Sequence, residues 1–165
     1  MAGLFEENLQ AGIAFLDDGE YVKAVECFTQ CVQQKPEDPE GHFRLGSALA
    51  EQGKLDEALA SYTEGLRFEP ANAESLTAIG DIHFEAGRYE DALCAYRKVV
   101  EVKPDDPDGH VSIGLVLNCM EKPLDAISSY TTALEMDPCN VFALNALGDA
   151  YYGLDQRDKA IEAYR

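Results

Sequence analysis

The sequence is poor in basic residues. It contains 13 Lys and Arg against 31 Asp and Glu, and its formal net charge is −18. A chain of this charge repels the phosphates of nucleic acids and of anionic membranes, so we expect neither as a partner. Most of the acidic side chains are expected to coat a solvated surface. The alternative is that they attract a basic segment of a protein partner.

Long apolar runs and paired cysteines are also missing. No stretch approaches the roughly 20 apolar residues of a membrane span. Glu6 and Glu7 lie where a signal peptide would carry basic residues. The five cysteines form no C-x-x-C pair, which favours a reducing compartment. We therefore expect a cytoplasmic protein.

The usual sequence motifs of catalytic sites are absent. There is no phosphate-binding loop, no dinucleotide-binding G-x-G-x-x-G and no nucleophile elbow G-x-S-x-G. The histidines, which show no H-E-x-x-H spacing, are expected to be packing residues; they are His42, His83 and His110. Cys27 and Cys31 could share a metal four residues apart on a helix, but no second pair completes a zinc site. We predict no catalytic, cofactor-binding or metal-binding residue, and a protein that is not an enzyme.

The chain contains an internal repeat of 34 residues. Four sets of residues recur at this interval. They are the prolines Pro36, Pro70, Pro104 and Pro138; the glycines Gly12, Gly46, Gly80, Gly114 and Gly148; the alanines Ala24, Ala58, Ala92, Ala126 and Ala160; and the aromatics Phe28, Tyr62, Tyr96, Tyr130 and Tyr164. A period in this range indicates stacked supersecondary units. Such an array has no central cleft in which distant catalytic groups converge.

Each repeat is predicted to form two antiparallel helices. The boundaries are predicted at 5–38, 39–72, 73–106, 107–140 and 141–165, the last repeat being incomplete. In the third repeat, apolar residues recur with helical spacing on either side of Gly87, which ends the first helix. The second helices are predicted to begin near Glu20, Lys54 and Arg88, just after Gly19, Gly53 and Gly87, and near Lys122 in the fourth repeat.

The starts of the first helices carry capping residues. Asp38 and Asp106 each precede the proline that begins the second and fourth repeats. Asn72 and Asn140 are the capping residues of the third and fifth repeats. The fourth repeat lacks the turn glycine and has Glu121 there. We expect a tighter or reoriented turn at this point, with the second helix beginning at or beside Pro123.

The pattern resembles the tetratricopeptide repeat, which reads W-x₂-L-G-x₂-Y, then A-x₃-F, then P. The L-G pair is represented by Leu45-Gly46, Ile79-Gly80, Ile113-Gly114 and Leu147-Gly148, with Ala11-Gly12 as a weaker copy. The tryptophan position is degenerate, being occupied by Asn8, His42, Leu76, His110 and Leu144. The resemblance implies an all-α fold, a right-handed α-solenoid of stacked helix pairs. It also implies a concave groove that binds a peptide or helix of another protein.

The first helices would line that groove with residues that face away from the second helices. The predicted partner-binding residues are Leu9, Ile13, Phe43, Ser47, Thr77, Asp81, Phe84, Val111, Leu115, Asn118, Asn145, Asp149 and Tyr152. Several are apolar and are expected to form an exposed patch, which is typical of interaction sites. The alternative is that some of them point into helix contacts. Asp81 and Asp149 favour a partner with Lys or Arg beside apolar anchors.

Two known versions of this groove do not fit the residues. A clamp for a chaperone's terminal carboxylate would need basic and amide residues where the chain has Leu9, Ile13, Arg44, Glu74 and Ala78. An asparagine ladder would occupy the positions of Gln10, Arg44, Ala78, Ser112 and Ala146. We therefore predict a non-catalytic adaptor without a carboxylate clamp. Two alternatives stay open: a targeting or regulatory segment of a larger enzyme or assembly, and a scaffold that self-associates through its open C-terminal repeat.

Overall fold

The computed structural model describes residues 2–165, with side chains from residue 3 onward. Within this range the chain forms ten α-helices and no strand. The predicted all-α fold of stacked helix pairs is confirmed. The chain divides into two compact units between Ser75 and Leu76, and we call them unit 1 and unit 2.

Unit 1 contains four complete helices, of which consecutive ones pack together. They are α1 (Ala2–Asp17), α2 (Tyr21–Gln34), α3 (Pro39–Glu51) and α4 (Leu55–Phe68). Part of the core lies between α1, α2 and α3, where Phe5, Phe28 and Cys31 are almost fully buried. The unit boundary falls within α5 (Ala73–Glu85).

Unit 2 contains the rest of α5 and five further helices. They are α6 (Tyr89–Val102), α7 (Pro107–Cys119), α8 (Pro123–Met136), α9 (Val141–Gly153) and α10 (Arg157–Ala163). Consecutive helices from α6 to α10 pack together, and α7 also contacts α9. Tyr96, Val116 and Tyr130 lie in the core of this unit. Among the described residues, no helix combines the length and apolar character needed to cross a membrane.

The predicted helix caps are confirmed. The side chains of Asp38 and Asp106 each accept a hydrogen bond from the backbone N–H two residues later, at 3.1 Å. Asn72 and Asn140 accept from the N–H three residues later, at 2.9 Å. Each bond satisfies a backbone N–H that has no partner within the first turn of the helix. The capping residue therefore determines where each of these four helices begins.

The turn of the fourth repeat differs from our expectation. Glu121 adopts a left-handed backbone conformation with φ of 59°, close to the 71° to 75° of Gly19, Gly53 and Gly87. The residue after Glu121 donates its N–H to the carbonyl five residues earlier, as in the glycine-containing turns. The turn is therefore neither tighter nor reoriented. Helix α8 does begin at Pro123, as predicted.

The recurring glycine and the recurring aromatic residue of each repeat contact each other. A Cβ on the glycine of a first helix would lie 2.8 Å or less from a ring carbon of the second helix of the same repeat. The pairs are Gly12 and Phe28, Gly46 and Tyr62, Gly80 and Tyr96, Gly114 and Tyr130, and Gly148 and Tyr164. Each ring therefore packs over the glycine of its own repeat.

Candidate functional site

Three of the predicted groove residues are buried in helix packing. Leu9 lies in the core of unit 1 and Val111 in the core of unit 2. Phe43 is only 7% exposed, because its ring fills the space opposite Gly65, where a Cβ would overlap it. The prediction that Phe43 and Val111 contribute to an exposed patch is wrong.

The other predicted residues of unit 1 also have packing partners. Ile13 is half-buried against the core. Ser47 is half-buried, accepts a hydrogen bond from the Tyr62 hydroxyl at 3.1 Å and donates one to the Phe43 carbonyl at 3.2 Å. Unit 1 therefore leaves few of the predicted residues free to contact a ligand.

Most of the predicted residues of unit 2 are accessible. Phe84 and Thr77 are half-buried, and the exposed ones are Asp81, Leu115, Asn118, Asn145, Asp149 and Tyr152. They occupy α5, α7 and α9, the first helices of successive repeats. We call the surface formed by Asp81, Phe84, Leu115, Asn118, Phe142, Asn145, Asp149 and Tyr152 the first-helix face of unit 2.

Phe142 belongs to this face and was missed in the sequence. It is 80% exposed at the second position of α9. Its helical spacing places it on the same side of α9 as Asn145, Asp149 and Tyr152. The earlier repeats have an acidic residue at the equivalent position, namely Glu40, Glu74 and Asp108. An aromatic side chain where the other repeats have a carboxylate was the signal that could have identified it.

Both aspartates of the face are held by a tyrosine of the same repeat. The Tyr96 hydroxyl donates to Asp81 Oδ1 at 2.6 Å, and the Tyr164 hydroxyl donates to Asp149 Oδ1 at 2.5 Å. Burial and then this hydrogen bond raise the pKa of Tyr96. The hydrogen bond is the main cause of the raised pKa of Tyr164. The hydroxyls therefore remain donors at neutral pH, and the carboxylates are oriented by them.

The first helices of unit 2 carry no compensating positive charge. The sequences of α5, α7 and α9 contain no Lys or Arg. Within residues 2–165, neither Asp81 nor Asp149 forms an ion pair. The face therefore combines the exposed rings of Phe142 and Tyr152 with two exposed carboxylates that have no ion-pair partner among the described residues.

Sequence comparison identifies the repeat. A family model described as "Tetratricopeptide repeat" matches residues 9–74 and 120–165, and one described as "TPR repeat" matches residues 80–118. The chain belongs to the tetratricopeptide repeat family. This fold is typical of non-catalytic modules and supports a protein–protein interaction scaffold.

Solved tetratricopeptide repeat structures have a similar fold. A crystal structure of a MamA protein matches with a TM-score of 0.90 and 21% identity, covering 99% of this chain and 90% of that one. MamA 41-end from Desulfovibrio magneticus RS-1 matches with a TM-score of 0.89 and 21% identity, covering 98% of this chain and 91% of that one. At this identity the likeness shows the fold alone. No curated protein matches the chain in sequence.

Cys31 and His42 are buried in the packing of this tetratricopeptide repeat fold, whereas Cys94, Cys119 and Cys139 are exposed. Cys31 is buried, its Sγ lies 3.7 Å from the Phe5 carbonyl oxygen, and burial raises its pKa. His42 is buried, and its Nε2 donates to the Pro36 carbonyl oxygen at 2.8 Å. No group of three or more potential metal ligands occurs among residues 2–165.

Two histidines are less completely packed. His83 is half-buried, and its Nδ1 lies 4.0 Å from an Asp91 carboxylate oxygen without a hydrogen bond. His110 is half-buried at the start of α7. Neither histidine is part of the first-helix face of unit 2.

Proposed function

We propose that this tetratricopeptide repeat protein is an interaction module whose first-helix face of unit 2 binds a basic, partly apolar segment of another protein. One observation carries the proposal. The helices α5, α7 and α9 lack Lys and Arg, and their common face carries the exposed carboxylates of Asp81 and Asp149 together with the exposed rings of Phe142 and Tyr152 on α9. Such a surface attracts cations and offers apolar anchor points to the same ligand.

The apolar part of binding would come from three side chains. Phe142, Tyr152 and Leu115 are 80%, 67% and 41% exposed. Large aromatic residues contribute more than their share of binding energy at protein interfaces, because they bury much area at a low cost in side-chain entropy. We expect Phe142 and Tyr152 to be the main anchors, with Leu115 between the repeats that carry the aspartates.

The electrostatic part favours a basic ligand over an acidic one. Arg44 of α3 is the only Lys or Arg on the five first helices, and it pairs with Glu40 at 2.7 Å. A terminal carboxylate would therefore find no free cation on these helices. The net charge of −18 would also accelerate the encounter with a basic partner at low ionic strength.

A displayed peptide library tests the proposal. We expect the purified chain to select peptides rich in Lys or Arg with a Leu or aromatic residue, and their binding to weaken as salt is raised. Tyr152→Ala and Leu115→Ser should weaken the selected peptides about tenfold or more. Leu124→Ser is the matched control, because Leu124 is 69% exposed but lies on α8, a second helix.

Two results would contradict the proposal. One is a set of selected peptides with no excess of positive charge. The other is an equal response of binding to Tyr152→Ala and to Leu124→Ser. Light scattering tests a further possibility, that this face binds a second copy of the chain, which predicts a mass that rises with protein concentration and falls in the Tyr152→Ala variant.

A further inference from the structure

The same acidic and aromatic pair occurs twice on the first-helix face of unit 2. In the third repeat, Asp81 follows the glycine of the glycine–aromatic contact, and Phe84 lies one turn later. In the fifth repeat, Asp149 and Tyr152 occupy the equivalent positions. The two pairs are two 34-residue repeats apart, and one repeat separates them.

Each pair has the chemistry of a receptor for a single cationic side chain. One oxygen of each carboxylate accepts from the tyrosine of its repeat, at 2.6 Å for Asp81 and 2.5 Å for Asp149. The carboxylate is thereby oriented before a ligand arrives. An ammonium or guanidinium group can pair with it and contact the adjacent aromatic ring.

The two receptors are not equally open. Tyr152 is 67% exposed, whereas Phe84 is half-buried with its ring 5.9 Å from that of Tyr89. Glu85 adds a second carboxylate near Asp81, because it lies four residues later on the same side of α5. The fifth-repeat receptor therefore offers more ring surface, and the third-repeat receptor offers more negative charge.

The intervening repeat has an apolar residue in place of the aspartate. Leu115 follows Gly114 and is exposed, and Asn118 replaces the aromatic residue. Helices α7 and α9 are neighbours on this face, since the Asn140 side chain donates to Asp108 Oδ1 at 3.4 Å across their first turns. Because successive repeats of such an array stack in chain order, we infer that α5 precedes α7 on this face as α7 precedes α9, which gives the order acidic, apolar, acidic.

We propose that the ligand of this face is a segment with two basic side chains that flank one apolar side chain, spaced three residues apart. Packed helices lie about 10 Å apart. Three residues of polyproline II advance about 9 Å and return the side chain to the same side. An extended segment of the form Lys-x-x-Leu-x-x-Lys therefore matches the order of Asp81, Leu115 and Asp149. The inference rests on the proposed function and specifies the ligand of that site.

Synthetic peptides test the spacing. Fluorescence anisotropy with the full chain compares Lys-x-x-Leu-x-x-Lys with peptides in which one residue is inserted or removed between Leu and either Lys. We expect the matched peptide to bind about tenfold more tightly than the shifted ones. Acetylation of either lysine should weaken it about five- to tenfold, because the cation loses both its carboxylate and its ring.

Variants of the protein show which lysine of the peptide binds at Asp81 and which at Asp149. Asp81→Asn and Asp149→Asn retain a hydrogen-bond acceptor for the tyrosine but remove the charge. Each variant should become insensitive to acetylation of one lysine only, and the two variants should respond to opposite ends of the peptide. Glu135→Gln is the charge-matched control, because Glu135 is exposed on α8, a second helix.

Equal affinity for matched and shifted peptides would overturn the two-receptor inference. So would variants at Asp81 and Asp149 that weaken binding no more than Glu135→Gln. In either case the proposed function survives if library-selected peptides still depend on Tyr152 and Leu115. If the library yields no basic binder and no synthetic peptide binds, both proposals fail.

Discussion

The alanines that recur every 34 residues offer the most direct test of how the helices pack. Ala58 lies on α4 and is fully buried, whereas Ala60 lies two residues later on the same helix and is exposed. Substitution of either by leucine adds three carbon atoms to α4. Alanine and leucine are both strong helix formers, so the change in intrinsic helix stability is small and equal at the two positions.

The two substitutions should differ in how much they lower the free energy of unfolding. At Ala58 the added atoms have no free volume and must displace neighbouring helices, which costs about 1–3 kcal/mol. At Ala60 the added side chain is solvated, and we expect a change within about 0.5 kcal/mol. For a chain of this length, the Ala58→Leu penalty corresponds to a fall in Tm of roughly 2–12 °C.

Urea unfolding followed by far-UV circular dichroism measures the difference. The midpoint of Ala58→Leu should lie clearly below that of Ala60→Leu, which in turn should match the unsubstituted chain. If the two variants unfold at the same urea concentration, the repeated alanine does not lie at a close helix crossing. That result would refute the interpretation that the alanine recurs because its site has no room for a larger side chain.

Three further predictions follow from local contacts. Asp38→Ala removes the cap of α3 and should lower the free energy of unfolding by about 1 kcal/mol, measured by urea denaturation against the exposed control Glu37→Ala. Glu121→Gly relieves a left-handed conformation and should raise stability by up to about 1 kcal/mol; a loss of stability would contradict our description of that turn. Because folding raises the pKa of Tyr96, its protonated hydroxyl stabilises the folded state at pH values below the unfolded pKa of about 10. This stabilisation is lost as pH rises through the pKa of the folded state. The urea midpoint should therefore fall above about pH 10, and Tyr96→Phe should reduce that fall.

The helical architecture was predictable because it depends on local chemistry and on spacing within the chain. Asp38 and Asn140 identify helix starts through donors only two or three residues away. Within each unit, the period of 34 residues then places each helix pair beside the next. The turn at Glu121 was mispredicted because the surrounding hydrogen bonds hold a non-glycine residue in a left-handed conformation, at a cost that the sequence does not display.

The surface was harder to predict, because exposure depends on pairs of residues in different helices. Phe43 has the periodicity of a groove residue, but the absence of a side chain at Gly65 gives its ring a place in the core. Asp81 was predicted to be a binding residue, whereas its hydrogen bond to Tyr96 was not predicted, since the two residues are 15 positions apart on separate helices. Comparing each first-helix position with the residue 15 positions later would have revealed that pairing.

The hydrogen bond between an aspartate and a tyrosine of the same repeat affects how binding specificity can be inherited. Asp81 and Tyr96 are both encoded within one 34-residue segment, as are Asp149 and Tyr164. A duplication or exchange of one such segment would copy the aspartate that we propose to bind the ligand together with the tyrosine that orients it. New arrays with different orders of charged and apolar positions could therefore arise by recombination, without compensating substitutions in neighbouring segments.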